Sequence, residues 1–313
     1  MDSARGSVLL LGAAVVWGMA FAFQTQASSS IGPFSFVAAK STMAALALGV
    51  VVLVRSRLSK PDRAARAAAS AVLGGSRRTL LLAGLACGVA LFAADNLQQA
   101  GITAYPADAA ASGRSGFLTA TYVVMIALVS PFVGKKVHPI VFAAAGVCLV
   151  GMYLLCLSGG LEGFYAGDAI CLVGAVFYTV HLLVIDRYAR LDPVKLTLLQ
   201  FAVSAVLSAA AALIFEHPSL DAYLQAAVPI LYVGVISGGV GYTLQTMGQR
   251  YADPAVAAIV MSLESVFAAV GGWVLLGEVL SGRELAGCAL MFAAVLLAQV
   301  PDLLRARTNR PKG

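Results

Sequence analysis

Asn96–Ala111 reads NLQQAGITAYPADAAA and Thr243–Ala258 reads TLQTMGQRYADPAVAA. Set one above the other, they align Gln98 with Gln245, Gly101 with Gly248 and Ala110 with Ala257. Each stretch closes one long apolar run, turns through a few polar residues and opens the next. Two further pairs sit at matching places. GPFSFVAAK carries Pro33 seven residues before Lys40, and DPVKLTLLQ carries Pro193 seven residues before Gln200. VVWGMAF lines up with VFYTVHL, which sets Trp17 against Tyr178. The chain is an internal duplication, and the duplicated unit is a set of apolar runs.

Of the 313 residues, 60% are apolar and 12% charged, against about 25% charged in soluble domains. Too little polar surface remains to cover such a chain in water, so the bilayer is its solvent. About 20 apolar residues span the hydrocarbon core as a helix, and only helices or closed barrels satisfy the backbone there. The runs are long and do not alternate, so they are helices. Ten are expected, at 7–27, 33–54, 79–99, 107–130, 138–157, 167–188, 193–215, 223–248, 254–276 and 281–300. The fold class is an all-α membrane protein.

Charge placement gives the orientation. With the N-terminus in the cytoplasm, eighteen of the 21 basic residues fall inside. They are Arg5, seven within 55–78, Lys135, Lys136, Arg187, Arg190, Lys195, Arg250 and four in the tail after 300. Outside lies one, Arg283. Lys and Arg accumulate on the cytoplasmic side, so both termini are expected there, in a bacterial inner membrane. The net charge of +6 then reflects orientation and implies no nucleic-acid partner. Loop 55–78 reads either as an amphipathic surface helix near acidic lipid or as a solvated basic loop. The apolar run from Val8 is taken as a retained span, because a second follows at once.

The division expected is 1–160 and 161–300, each with five spans, then a basic cytoplasmic tail at 301–313. Five is odd, so the second half enters the membrane upside down relative to the first. Inverted repeats of this kind characterise many secondary transporters, with substrate held near the midplane between the halves. Gly84 with Gly88, Gly234 with Gly238, and Gly271 with Gly272 are small-residue patches that permit close helix approach. The five cysteines, Cys87, Cys148, Cys156, Cys171 and Cys288, all lie in apolar runs without CxxC spacing and read as inert thiols.

The chain resembles the EamA-type transporters of the drug/metabolite transporter superfamily, ten-span proteins of two five-span repeats. The residues that carry the resemblance are AAVVWGMAF, GPFSFVAAK, GFLTATYVVMIALVSPFVG, GDAICLVGAVFYTVHLLVIDRYA and GYTLQTMGQRYADPAVAAIVMSLESVFAAVGGWVLLGE. It implies a cavity lined by spans 1 to 4 and 6 to 9, with spans 5 and 10 at the periphery. The chain departs from the family in having Ser265 after Glu264, Lys40 where Arg is common, and Lys135 after Gly134. These departures bear on substrate identity, not on the fold.

Ionisable groups within a span are costly, about 2.5–3.5 kcal/mol each, and tend to face a cavity or a partner. Lys40, Asp95, Arg114 and Glu264 are such groups. Glu264 is the deepest, and it reads as a proton carrier or counter-charge, or as a fixed structural partner. Asp95 is a second proton-coupling candidate. Arg114 and Lys40 read as anion ligands. Alternatively, Arg114 bridges to Asp95 or Asp108 and Lys40 snorkels outward. Trp17, Phe21 and Gln24 share one face of the first span, as do Tyr242, Gln245 and Gln249 in the eighth. Tyr178 and His181 lie three apart, Asn96 and Gln98 crowd the third span, and Gln200 sits in the seventh. Aromatic rings and amides around a cavity suit an amino acid, an amine or a related polar or amphipathic compound; the alternative for each is ordinary helix packing or an interhelical hydrogen bond.

The function expected is secondary active transport by alternating access, with protons as candidate coupling ions. No cofactor, metal site or catalytic residue is expected. A Walker sequence is lacking, so ATP drive within the chain is not expected. HExxH, GxSxG and paired Asp are lacking too, which argues against an intramembrane enzyme. A non-transporting sensor or scaffold is the other alternative. Monomer and homodimer both fit.

Overall fold

A computed structural model describes residues 2–58, 77–106, 111–135, 137–156, 165–276 and 281–308. Among them, every regular element is helical. Six helical stretches are long and apolar enough to cross a membrane: Ala4–Ala27, Pro33–Arg57, Arg77–Thr103, Ala166–Arg187, Pro193–Phe215 and Ala227–Gly248. Four shorter apolar stretches accompany them, at Leu118–Val133, Pro139–Leu154, Pro254–Ala268 and Leu285–Ala298. Their outer faces present Leu46, Val50, Leu85, Leu213, Ile214 and Phe292, all exposed, as helices solvated by lipid require.

The elements run α1 (Asp2–Ala27), α2 (Pro33–Leu58), α3 (Arg77–Thr103), α4 (Ala111–Ala120), α5 (Tyr122–Val129), a 3₁₀ turn (Ser130–Val133) and α6 (Pro139–Cys156). They continue with α7 (Ala166–Arg187), α8 (Pro193–Phe215), the short α9 (Leu220–Gln225) and α10 (Ala227–Leu231), a π-helix (Tyr232–Gly241) and α11 (Tyr242–Gly248). Last come α12 (Pro254–Met261), α13 (Glu264–Leu276) and α14 (Gly282–Thr308). Pro33, Pro193 and Pro254 each open a helix, where a missing N–H leaves no bond unmade.

Several runs depart from the expected uninterrupted spans. The fourth breaks at Thr121, where the Val124 N–H bonds back three residues to the Thr121 carbonyl at 3.0 Å. The ninth tightens likewise at Ser262 and Leu263, with the Ser265 N–H on the Ser262 carbonyl at 3.1 Å. The eighth widens into the π-helix. Gly234, Gly238, Gly239 and Gly241 fall within it, and glycine weakens the hold of α geometry. The tail expected from 301 continues α14 to Thr308, with Pro301 inside the helix. One proline removes one backbone donor, and Leu, Arg and Ala beyond it are strong helix formers. Within loop 55–78, residues 55–58 prolong α2 and Arg77 opens α3; 59–76 lie outside the described residues.

The helix contacts come in exchanged pairs. α3 packs along α7, and α1 along the π-helix and α11; α1 also meets α13, as α7 meets α4 and α5. α2 packs on α8, and α6 on α14. Substituting first-half for second-half elements turns this set of contacts into itself. Small residues make the approach possible. Gly84 and Gly88 seat α3 against Leu199 and Val203 of α8, while Gly234 and Gly238 seat the π-helix against Lys40 and Ala44 of α2. α7 starts beside the end of α3, where Gly167 meets Gly101. The end of α3 also meets the end of α1, since the Gln99 amide donates to the Gln24 carbonyl at 3.2 Å. α7 therefore begins where α1 finishes. The largest apolar core lies between α5, α6, α12 and α14, which leaves polar side chains to the α1–α3–α7–α11 side.

Candidate functional site

A cavity of about 50 Å³, with charged and amide side chains in its wall, lies between the halves. Its walls come from α1, α2, α3, α4, α5, α7, the π-helix, α11, α12 and α13. Among the described residues, none of α6, α8 or α14 lines it. Three irregular places border it: Thr119 and Tyr122 flank the break at Thr121, Met261 and Glu264 flank the tightened turn, and Val233 and Ser237 belong to the π-helix.

Asp95 is the hub on one wall. Lys40 Nζ sits 2.8 Å from its Oδ2, and both side chains are buried. On Oδ1 converge two hydroxyls from the other half, Tyr178 at 2.6 Å and Tyr242 at 3.4 Å. Tyr178 also lies 3.2 Å from Gln98 Oε1, and the Gln98 amide donates to Thr119 Oγ1 at 3.2 Å. Burying a carboxylate demands a counter-charge and hydrogen bonds for its remaining lone pairs, and Asp95 has both. Lys40 does not snorkel outward: its ammonium turns into the protein to meet Asp95.

Glu264, the first residue of α13, is the second carboxylate, 5% exposed. Tyr122 donates to its Oε1 at 3.3 Å. Among the described residues no cation stands within ion-pair distance of it. Trp17, His181 and Tyr242 line the same cavity, and Phe201 backs them from α8. The Trp17 and Tyr242 rings lie 4.8 Å apart, and Phe201 and His181 stand edge-on to Tyr242 at 5.1 and 5.9 Å. Trp17 Nε1 makes a long contact, 3.4 Å, to the carbonyl of Ser237 in the π-helix.

Of the residues singled out in the sequence, Trp17, Phe21, Gln24, Lys40, Asp95, Gln98, Tyr178, His181, Tyr242, Gln245 and Glu264 line this one cavity. Gln200 does not; it stands behind His181, with Oε1 3.0 Å from Nε2. Asn96 points away, its amide donating to Ser208 Oγ at 2.8 Å and to the Phe92 carbonyl. It joins α3 to α8, the interhelical role open to any amide in a span. Gln249 likewise bonds the Leu182 carbonyl at 3.3 Å. Arg114 falls in α4, but its side chain and Asp108 lie outside the described residues. Tyr122, Thr119 and Ser237 were not anticipated. Tyr122 was detectable as the lone hydroxyl of an apolar run, YVVMIALV; Ser237 enters through a backbone shape that no residue pattern announced. Cys87, Cys148 and Cys171 are buried free thiols.

A helical protein that crosses the membrane several times, with two like halves closing on a pocket that holds charged and amide side chains, has the build of a membrane transporter. The comparisons agree and go one step further. The chain belongs to the EamA-like transporter family, which matches residues 4–157 and again 165–299. An uncharacterized transporter of Archaeoglobus fulgidus is 30% identical over 220 residues, 69% of this chain and 68% of its own. A crystal structure only 18% identical superimposes with a TM-score of 0.75, covering 95% of this chain and 98% of its own, and so shares the fold.

Proposed function

We propose that this membrane transporter is a secondary carrier of a small polar or amphipathic metabolite, working by alternating access between two inverted five-span repeats. The single observation behind this reading is the cavity. It sets charged and amide side chains into a largely apolar wall, it lies between apolar helices, and both halves wall it. At about 50 Å³ it has room for a few water molecules, far less than a metabolite needs, so a substrate has to enter through movement of one half against the other. The repeats meet along α1, α2, α3, α7, α8 and the π-helix, and small residues at those seams suit rocking. The basic residues favour a cytoplasmic Arg5 end and an external Ala27 end, in a bacterial inner membrane.

Glu264 is the proposed proton-coupling group. It has a hydroxyl partner in Tyr122 and no described counter-charge, so it can carry either a proton or a cationic substrate. The titratable groups around it are Tyr122 directly, and Asp95, Lys40, Tyr178, Tyr242 and His181 across the cavity. Asp95 is the weaker candidate, because releasing it for a proton would strand Lys40.

Thermal stabilisation of the purified protein against a metabolite panel would find ligands, since a compound bound only by the folded state raises the melting temperature. Counterflow of each hit in proteoliposomes then tests carriage. Hits that exchange across the membrane support the reading, with a pH dependence that Glu264→Gln abolishes. Hits that stabilise but never exchange would leave a sensor or scaffold. Unaltered pH dependence in Glu264→Gln would remove the proton from the scheme.

A further inference from the structure

We infer that the cavity takes its ligand by a protonated primary or secondary amine, held between the Glu264 carboxylate and the amide oxygens of Gln24 and Gln245, and that it excludes anions and holds quaternary ammonium ions more weakly. The inference rests on the cavity being the substrate site and narrows what enters it.

The argument is a balance of donors and acceptors. The phenol, indole and ammonium donors on the wall are engaged by the protein itself. The Tyr178 and Tyr242 hydroxyls go to Asp95, and that of Tyr122 to Glu264. The Trp17 N–H goes to the Ser237 carbonyl. The Lys40 charge is matched by Asp95 at 2.8 Å. Acceptors are left over. Gln24 Oε1 and Gln245 Oε1 are buried without a partner, on residues 5% and 1% exposed that both line the cavity. Glu264 has one hydroxyl contact, at 3.3 Å, where an ionised carboxylate offers about four lone-pair sites.

Buried acceptors without donors are unfavourable, and a ligand that supplies donors relieves them. An ammonium group brings two or three N–H donors and the positive charge that Glu264 lacks among the described residues. Its apolar body would then lie against the Trp17 and Tyr242 rings, whose faces attract cations. A carboxylate ligand would bring more acceptors to a wall that already has a surplus. A quaternary ammonium has the charge and no N–H, so the amide oxygens would stay unpaired.

The test is binding of three probes by the full chain in lipid nanodiscs: 2-phenylethylammonium, its N,N,N-trimethyl analogue, and phenylacetate. The primary amine should bind saturably, the trimethyl analogue at least about tenfold more weakly, and phenylacetate not at all. Gln245→Leu and Gln24→Leu should each weaken the primary amine and leave the trimethyl analogue unchanged, a split that general misfolding would not produce. Glu264→Gln should weaken both cations. Equal binding of the two cations, phenylacetate binding as tightly as the amine, or no binding by any probe would overturn the inference. Counterflow of the bound amine in proteoliposomes separates the two readings: binding without exchange leaves the amine site standing and removes the carrier.

Discussion

Asp95 joins four helices through one carboxylate. Lys40 reaches it from α2, Tyr178 from α7 and Tyr242 from α11, so the second repeat grips the first through two phenol hydroxyls. The pair is buried, and removing one member leaves the other charge stranded, at a cost of about 3–5 kcal/mol. Lys40→Met should therefore lower the unfolding temperature sharply. Lys40→Met combined with Asp95→Asn should recover much of the loss, since no bare charge remains. Thermal unfolding of the detergent-solubilised single and double variants checks this, and equal losses in both would mean the lysine acts by packing alone. The sequence already marked both residues as expensive to bury. It did not pair them, because Asp95 had several cations within conceivable reach and only the helix arrangement selects Lys40. The same limit separates Gln98, on the cavity wall, from Asn96 two residues before it: neighbours in a helix point to different faces, and the sequence lacks the reference direction.

At the scale of elements, helix ends were readable and helix interiors less so. Proline marked the starts of α2, α8 and α12. The breaks at Thr121 and Ser262 have no proline, and come from tertiary packing around the cavity that overrides local preference. One helix end shows a device that runs between repeats. α8 caps itself, with Asp192 Oδ1 accepting from the Val194 and Lys195 N–H groups. α2 has Gly32 at the equivalent place and borrows its cap from the far end of α8. Glu216 accepts from the Phe34 and Ser35 N–H groups at 2.8 and 2.7 Å and from the Ser35 hydroxyl at 2.6 Å. A Cβ at Gly32 would stand 2.5 Å from the Glu216 carboxyl carbon, so the glycine is what admits the carboxylate. The contact ties the repeats together at the Ala27 end of the bundle. Glu216→Ala should cost about 1 kcal/mol and loosen that end. A cysteine at Ile31, which is buried, should then react several-fold faster with a water-soluble maleimide than it does with Glu216 in place. An unchanged rate would make the contact a local cap and nothing more.

The whole molecule was the most legible scale, because duplication writes the same geometry twice. The alignment of Gly101 with Gly248 and of Trp17 with Tyr178 needed no structure, and both pairs carry corresponding contacts. Gly248 meets Gly6 at the Arg5 end, where a Cβ would fall 3.1 Å from the Gly6 carbonyl oxygen and 2.7 Å from Leu10. Gly101 meets Gly167 at the Ala27 end, where a Cβ on Gly167 would fall 2.7 Å from the Gly101 carbonyl oxygen. Gly6 and Gly167 stand eleven residues before Trp17 and Tyr178 respectively, so the two contacts are one contact repeated at opposite ends of the bundle. Each is a seam between repeats, and under the proposed alternating access it parts when its own end opens. A side chain placed in one seam should wedge that end open and favour closure at the other. Gly248→Val and Gly167→Val should therefore act in opposite senses. With Ser237→Cys as reporter in a background without native cysteines, and with the Arg5 end in the cytoplasm as proposed, Gly167→Val should speed labelling by an impermeant maleimide from outside and slow it from within. Gly248→Val should do the reverse. The same sense from both variants would contradict alternating access between mirrored halves, and a clean swap of the two would turn the protein over in its membrane.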